Sequence, residues 1–258
     1  MSYKPYTKHD YGVDVELGLV TGRSRVSIVG HDPTVPNGGP YTLSPQFGTN
    51  GYTVDQSAIA ATPAVVGVAS TDNTNDNAAG TGALTVSIAG LDASGNAQSE
   101  TVTMTGQTAA NTVATFSAVH TITVLTTGSN NANTGTIYVG TGTFTAGVPA
   151  VRMLSVEIGS NISRTAYYVI PTGKTGVLLH FGLTVSGTSK DAEVHILTST
   201  DGILWLELFP FGSGAGSFNT KVNAGGAMAA GTHIKMEAHG AAANTDVTAY
   251  VALELADV

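Results

Sequence analysis

The sequence contains no cysteine. Disulfide bonds, thiolate zinc sites and cysteine nucleophiles are therefore excluded, and cysteine usage gives no indication of the redox compartment. Runs of about 18 uncharged apolar residues, which a membrane span requires, are also missing. The N-terminal segment MSYKPYTKHDYGVD is charged where a secretory signal has its apolar core. We expect a protein that is made in the cytoplasm, is not inserted in a membrane and is stabilised by packing alone.

Charge is scarce and unevenly distributed along the chain. Only 11% of the residues are charged, against about 25% in an average soluble domain, while 42% are hydrophobic. No lysine or arginine occurs between Arg25 and Arg152, and the net charge is −8. A nucleic-acid-binding surface needs clustered basic residues, so the sequence argues against nucleic acid as a partner. Such a weakly charged surface suits a protein that is held among close neighbours.

Composition and charge together predict three parts of the chain. Residues 1–50 are rich in proline, glycine and tyrosine and are predicted to be an extended arm, which either docks on a partner or folds onto its own domain. Residues 51–150 form an acidic domain, and residues 151–258 form a domain of mixed charge. The predicted docking residues are the aromatic and basic side chains of the arm: Tyr3, Tyr6, Tyr11, Arg23 and Arg25.

Apolar residues recur with the period of a β-strand. The segment ALTVSIAGLDASGNAQSETVTMTG, residues 83–106, contains two alternating stretches around an Asp-, Gly- and Asn-rich turn, which predicts a β-hairpin. The segments HTITVL and TIYVG, separated by SNNANTG, are predicted to continue it as a meander. Apolar residues at odd positions over 177–185 and 247–255 predict two further strands.

Helical periodicity is confined to residues 55–61. Many short strands separated by Gly, Asn and Asp turns are typical of sandwiches and jelly rolls. The predicted fold class is therefore all-β, with two antiparallel β-sandwich or jelly-roll-like domains and an extended N-terminal arm.

Motifs of catalysis and cofactor binding are missing. The sequence has no HExxH, no EF-hand spacing, no glycine-rich loop followed by GK[ST], and no G-x-S-x-G. We predict a protein that is not an enzyme, with no cofactor and with no catalytic, cofactor-binding or metal-ligating residues.

Four groups of residues can be interpreted as functional sites as well as structural features. His180 and His195, predicted to face each other on adjacent strands, could hold a metal, and Asp72 and Asp76 could bind calcium. Trp205 is a candidate contact for a glycan, although packing is the more common role of a single tryptophan. Acidic side chains that could act as a glycosidase pair cluster at Asp191, Glu193, Asp201 and Glu207.

Several segments resemble a known family. The block GVASTDNTNDNAAGTGALTVSIAGLDASGNAQSETVTMTGQT and the following AVHTITVLTTGSNNANTGTIYVG are similar to a domain of virion structural proteins in tailed bacteriophages, especially phages of aquatic and cyanobacterial hosts. Upstream, VDVELGLVTGRSRVSIVGHDPTV resembles the preceding segment of those proteins. Downstream, YYVIPTGKTGVLLHFGLTVSG and GTHIKMEAHGAAANTDVTAYVALEL resemble their closing β domain.

The resemblance implies a noncatalytic part of a virion, assembled in the host cytoplasm. Its expected partners are further copies of itself, as a homotrimer or higher oligomer, and a major capsid, neck or tail protein. Decoration of the capsid or neck through the N-terminal arm is the first functional hypothesis. The second is a tail-fibre-type adhesin that binds a host surface glycan through the loops at 187–191, 199–203 and 212–226. A polysaccharide-degrading enzyme is a third, based only on the acidic cluster.

Overall fold

The computed structural model describes residues 11–45, 62–186, 191–204, 206–221, 226–241 and 245–258. Almost all of these residues that are not in turns lie in β-strands. One short helix, α1, spans Tyr11–Glu16. The strands in chain order are β1 (Arg23–Val35), β2 (Gly38–Thr42), β3 (Ser44–Pro45), β4 (Ala64–Ser70), β5 (Ala83–Leu91), β6 (Ala97–Thr103), β7 (Ala110–Phe116), β8 (Ala118–Thr127), β9 (Ile137–Thr145), β10 (Val148–Val156), β11 (Ile162–Arg164), β12 (Tyr167–Val169), β13 (Lys174–Ser186), β14 (Ala192–Ser199), β15 (Leu206–Ser213), β16 (Gly216–Lys221), β17 (His233–Gly240) and β18 (Thr245–Asp257).

Within the described residues, four antiparallel sheets contain all of these strands except β2. Sheet I has five strands in the order β16-β13-β18-β1-β3, and sheet II has four in the order β12-β17-β14-β15. Sheet III has the order β10-β9-β4-β7, and sheet IV has the order β11-β8-β5-β6. Strand β2 runs beside β17 where β12 ends, and the Leu43 amide donates to the Met236 carbonyl at 3.0 Å. Within the described part of the chain, no helix is long and apolar enough to cross a membrane.

The described residues form two hydrophobic cores, and each core takes most of its side chains from two of the sheets. The first core draws its buried side chains from sheets I and II and includes Val194, Met236 and Val251. The second draws them from sheets III and IV and includes Val86 and Ile137. Since burial of apolar surface contributes about 25 cal/mol per Å², these two cores are the main source of stability.

Strand β12 joins the two cores. The Tyr168 side chain packs in the first core, whereas the Tyr167 and Val169 side chains, which point to the other face of the strand, pack in the second. Successive residues of a strand face opposite sides, so three residues are enough to serve both cores. A second link is made by Thr172, whose amide donates to the Gly95 carbonyl at 2.7 Å.

The prediction of an antiparallel all-β fold is confirmed. Four sheets of four or five strands also resemble the four blades of a propeller, so the sheet count by itself does not establish the sandwich or jelly-roll domains. That finer architecture stays a prediction.

The N-terminal segment is part of a sheet over much of its described length. Strand β1 pairs with β18 from Arg23 opposite Ala256 to Val35 opposite Thr245, in the middle of sheet I. Of the two interpretations of the segment, residues 23–45 therefore show the one in which it folds onto its own domain. The predicted boundary after residue 150 falls inside β10, which pairs with β9, and the division of the chain into domains stays a prediction.

The predicted hairpin at residues 83–106 is confirmed as β5 and β6, which pair from Thr85 opposite Thr103 to Leu91 opposite Ala97. The predicted meander is wrong. Strand β8 pairs with β5 and β11 in sheet IV, whereas β9 pairs with β4 and β10 in sheet III. The turn between β8 and β9 carries the chain from one sheet to the other, and alternation within single strands carries no information on that choice. The helical period at residues 55–61 lies outside the described residues.

Candidate functional site

One carboxylate, Glu254 of β18, binds the N-terminal segment at the first of its described residues, Tyr11, and at Arg23. The Tyr11 hydroxyl donates to Glu254 Oε1 at 2.8 Å, and Arg23 Nη1 lies 3.1 Å from the same oxygen. Arg25 Nε lies 3.9 Å from Glu254 Oε2, and Arg25 Nη1 lies 3.9 Å from Glu16. We call Glu254 with Tyr11, Arg23 and Arg25 the Glu254 hub.

The hub forms because β1 and β18 place their charges side by side. Arg25 is the register partner of Glu254, and Arg23 is two residues away on the same face. Glu254 is buried to 7% exposure, so its charge is largely removed from water and its partners are held close. The hydrogen bond to Glu254 raises the pKa of Tyr11.

Three of the predicted docking residues therefore bind their own chain. Tyr11, Arg23 and Arg25 tie the segment to sheet I, while Tyr3 and Tyr6 lie outside the described residues. The segment also exposes three aliphatic side chains: Val13 at 49%, Leu17 at 62% and Leu19 at 65%.

The outer face of sheet II carries a row of polar side chains between glycines. In register, Gly212 of β15 lies opposite Glu193 of β14, and Glu193 lies opposite His239 of β17. Gly39 of β2 packs against the other side of His239, because a Cβ atom at Gly39 would lie 2.7 Å from the imidazole Cγ. We call this row, Gly212, Glu193, His239 and Gly39, with Asp191 at its end, the glycine-flanked groove.

The groove is a cavity of about 650 Å³ that opens to solvent. Its remaining lining includes Gly38 and Gly214, and the Ala241 amide closes one end by donating to the Asp191 carbonyl at 2.9 Å. Ligand sites in proteins typically measure about 300–1,000 Å³, so the groove is large enough for a small ligand.

His195 lies directly beside the groove and organises its polar groups. Its Nε2 is 3.6 Å from Glu193 Oε2, and its Nδ1 is 3.3 Å from Glu207 Oε2. Its ring also packs against the ring of His239, with 4.3 Å between centroids. The Nε2 atom is buried and has no hydrogen-bond partner among the described residues.

A second, smaller cavity of about 240 Å³ lies where the two cores meet. Glu16, Arg25 and Arg164 line it together with the ring of His120, which packs on Tyr168 at 4.3 Å between centroids. We call it the junction cavity.

Within this junction, His120 is held as a neutral ring. Its Nε2 accepts a hydrogen bond from the Val169 amide at 3.3 Å, and its carbonyl accepts from the Thr165 amide at 3.0 Å. Burial lowers the pKa of His120 to about 3. The imidazole therefore serves as a hydrogen-bond acceptor between β8 and β12 at neutral pH.

The Asx-rich loop at residues 70–82 is organised by its own carboxylates. Asp76 is fully buried, and its oxygens accept from the Ser70 hydroxyl at 2.6 Å, the Gly135 amide at 2.7 Å and the Ala83 amide at 2.8 Å. The hydrogen bonds that Asn75 donates to Asp72 lower the pKa of Asp72 to about 2. Asp72 thus binds donors of the loop and Asp76 binds donors of the loop and of neighbouring segments, which is the structural alternative to calcium binding.

The predicted pairing of His180 with His195 is wrong. His180 lies on β13 in sheet I, opposite Ala252, whereas His195 lies on β14 in sheet II, opposite Glu237. His195 contacts His239 instead, because β14 and β17 are neighbours.

The predicted acidic cluster is divided between two places. Glu193 and Asp191 line the groove, and Glu207 flanks His195 from outside it. Asp201 caps the turn after β14, where it accepts from the Ile203 amide at 2.8 Å and the Leu204 amide at 2.9 Å, and these bonds lower its pKa. The Trp205 candidate lies outside the described residues, as do residues 187–190 and 222–225 of the predicted glycan-binding loops.

Sequence reasoning missed Glu254, His239 and the glycines of the groove. Glu254 had a visible signal, because it is a charged residue inside an otherwise apolar strand, and RSRVSIVG contains matching cations. The glycines of the groove gave no signal in the sequence, because their importance depends on the register of β2, β14, β15 and β17. Comparison of the chain with protein-family models, with curated proteins and with solved structures gives no significant match.

Proposed function

We propose that this protein is a non-enzymatic structural component of a tailed-phage virion, attached to the capsid or neck as a decoration protein. The observation that carries the proposal is the N-terminal segment. The Glu254 hub fixes the segment to the most central strands of sheet I, and the segment presents Val13, Leu17 and Leu19 to solvent. Exposed apolar side chains on an anchored support are typical of a surface that binds another protein.

A second surface of the same kind supports an assembly role. Ile203 and Leu204, in the turn after β14, are 83% and 67% exposed although Asp201 accepts hydrogen bonds from both of their amides, and Leu206 at the start of β15 is 62% exposed. Exposed large apolar side chains at fixed backbone positions suit contact with a neighbouring subunit, in agreement with the expected homotrimer or higher oligomer. The resemblance of the sequence to virion proteins favours the same role.

For the architecture, we propose two packed sandwiches rather than propeller blades. Consecutive strands of the middle region alternate between sheets: β4 lies in sheet III, β5 and β6 in sheet IV, β7 in sheet III and β8 in sheet IV. Propeller blades are built from consecutive strands, whereas sandwiches exchange strands between two sheets around one core. The two separate cores favour the sandwich arrangement.

The attachment surface can be tested with full-length variants on phage particles. We expect mass spectrometry to find the chain in purified virions in many copies, and Leu17→Asp with Leu19→Asp to abolish its incorporation because a charge replaces the apolar contact. The matched control is Leu125→Asp, which alters an exposed leucine of β8 at 52% exposure. Absence from virions, or equal incorporation of both variants, contradicts the proposal.

The groove favours a second candidate function, a tail-fibre-type adhesin. It combines carboxylates, an imidazole and an open floor at the end of sheet II, where the predicted glycan-binding loop 187–191 ends and the loop 212–226 begins. Saturable binding of the purified chain to host cells, together with few copies per virion, would favour this candidate over decoration.

A further inference from the structure

We propose that the glycine-flanked groove binds a saccharide through its hydroxyl groups. The inference deepens the adhesin function proposed above and rests on it. The ligand class is read from three properties of the groove: an open floor, hydrogen-bond acceptors along one row, and a histidine whose ring is held on both sides.

Gly212 forms the open floor of the groove. The fold itself does not require a glycine at this position. The Gly212 backbone lies outside the left-handed region, and among the described residues a Cβ atom there would meet the Ala192 carbonyl at 3.6 Å and the Glu193 Cβ at 3.9 Å, both ordinary contacts. Gly212 is also exposed on a strand, where a β-branched residue is usually preferred. The missing side chain therefore leaves space beside Glu193 that a ligand can occupy.

The polar groups of the groove match a ligand that donates hydrogen bonds. Ionised Glu193 and Asp191 are acceptors only, and each carboxylate can accept from two neighbouring hydroxyls. The Glu193 side chain is 52% exposed, so its oxygens are accessible, and its Oε2 lies 3.6 Å from His195 Nε2. His239 adds a ring nitrogen at the next position of the row.

The orientation of His239 is fixed before any ligand binds. Its ring packs between the backbone of Gly39 and the ring of His195. A polar group held in one rotamer loses little conformational entropy on binding, which is important for sugars because their individual hydrogen bonds are weak.

A metal ion fits these residues less well than a sugar. Among the described residues, no three His, Asp or Glu side chains converge closely enough to hold one. Carboxylates spread along a row suit the spaced hydroxyls of a pyranose ring better than the compact shell of a cation.

The test titrates the full-length chain with glucose, galactose, mannose and N-acetylglucosamine at millimolar concentrations, observed by saturation-transfer NMR. We expect saturable binding of at least one sugar. Gly212→Val should weaken it roughly tenfold or more by filling the floor, Gly212→Ala should have a smaller effect, and Glu193→Gln should weaken it by a similar factor through the lost acceptor. Thermal unfolding of each variant checks that the fold is retained.

The matched control is Glu207→Gln. Glu207 also contacts His195, at 3.3 Å, but does not line the groove, so sugar binding should stay unchanged. Absence of saturable binding to all four sugars overturns the inference, and so does equal loss in Glu193→Gln and Glu207→Gln. Binding of oligolysine without binding of any sugar also overturns it. Saturable binding of the chain to host cells that Gly212→Val leaves unchanged would refute the saccharide groove and retain the adhesin function.

Discussion

Two carboxylates, Asp76 and Glu254, each bind several donors of this weakly charged chain. Asp76 gathers donors from three separate segments, at Ser70, Ala83 and Gly135, and Glu254 gathers the cations of β1. Hydrogen bonds to a charged acceptor are stronger than those between neutral groups, and a buried acceptor must be satisfied. Two of the few charges of the chain therefore fix loop and strand positions that apolar packing alone leaves undetermined.

Replacing Asp76 with asparagine tests this role. The amide group of Asp76→Asn would face N–H and O–H donors, so we expect the free energy of unfolding to fall by roughly 3 kcal/mol. Urea denaturation measures the change. The control is Asp92→Asn in the β5–β6 turn, where the carboxylate also accepts from backbone amides but is exposed, and where we expect a much smaller loss. Similar losses in the two variants would show that Asp76 has no special role.

Among the elements, β13 shows why alternation predicts strands better than it predicts faces. The odd positions Phe181, Leu183 and Val185 are buried as expected, but Leu178 is buried in place of the half-buried Val177 and Leu179. The register against β18 shifts between Leu178 and His180, so one extra residue reverses the inward and outward positions. The extra residue lies in β13 and not in β18. In β18 all odd positions from Val247 to Leu255 are therefore buried.

The edge strands β6 and β7 belong to different sheets and are joined by side chains. The Val113 and Ala114 amides of β7 donate to the two oxygens of Glu100 at 2.8 and 2.9 Å, and the Gln98 amide donates to the Thr115 carbonyl at 2.6 Å. Glu100 thus binds backbone donors that a strand edge otherwise leaves open to pairing with other chains.

We expect Glu100→Ala to release these two amides. Their hydrogen exchange, followed by NMR, should become roughly tenfold faster, because the protecting acceptor is removed while the rest of the sheet is retained. Gln98→Ala is the control, since Gln98 protects a carbonyl and its loss should leave the Val113 and Ala114 amides unchanged. Unchanged exchange in Glu100→Ala would mean that β7 is protected by another contact.

How much the sequence could predict depends on the range of the interaction. Local patterns were sufficient for the all-β class, for the β5–β6 hairpin and for the apolar row of β18. The partner of each strand was not predictable, because β8 and β9 differ in sheet although both alternate. The groove depends on four strands that are distant in sequence, so its residues came together only in the fold.

For the whole molecule, the junction around β12 decides whether the two cores move together. His120 on β8 binds the Val169 amide and packs on Tyr168, while Tyr167 bonds to His233 of β17. Burial lowers the pKa of His233 as it does that of His120. Burial therefore favours the neutral form of both histidines in the folded protein, and acid should weaken the connection.

The direction of the pH effect follows from the difference between the pKa of His120 in the folded and in the unfolded state. The unfolded chain protonates His120 near its ordinary pKa of 6.5, whereas in the fold the pKa is about 3, so the unfolded state takes up the proton first as the pH falls. The contribution of neutral His120 to the free energy of unfolding is fully present above pH 6.5 and declines below it. Because part of the ring faces the junction cavity, we expect a loss of about 1 kcal/mol between pH 6.5 and pH 5, less than the full linkage value.

Urea denaturation at the two pH values measures this loss. His120→Gln keeps an acceptor for the Val169 amide but does not titrate, so its stability should decline less over the same interval. The charged groups around the cavity, Glu16, Arg25 and Arg164, are unchanged in that variant. An identical pH dependence in both proteins would assign the effect to other groups.

The pairing of β1 with β18 has a consequence for synthesis on the ribosome. The strands of sheets III and IV are complete once residue 164 has emerged, and Tyr167 and Val169 of β12 complete the second core directly afterwards, so the middle region can fold while translation continues. Strand β1 must wait for β18, and the side chains of the Glu254 hub meet only then. Chains that stop early would thus keep a folded middle region but would present Leu17 and Leu19 on an unanchored tether, which disfavours their incorporation into an assembly.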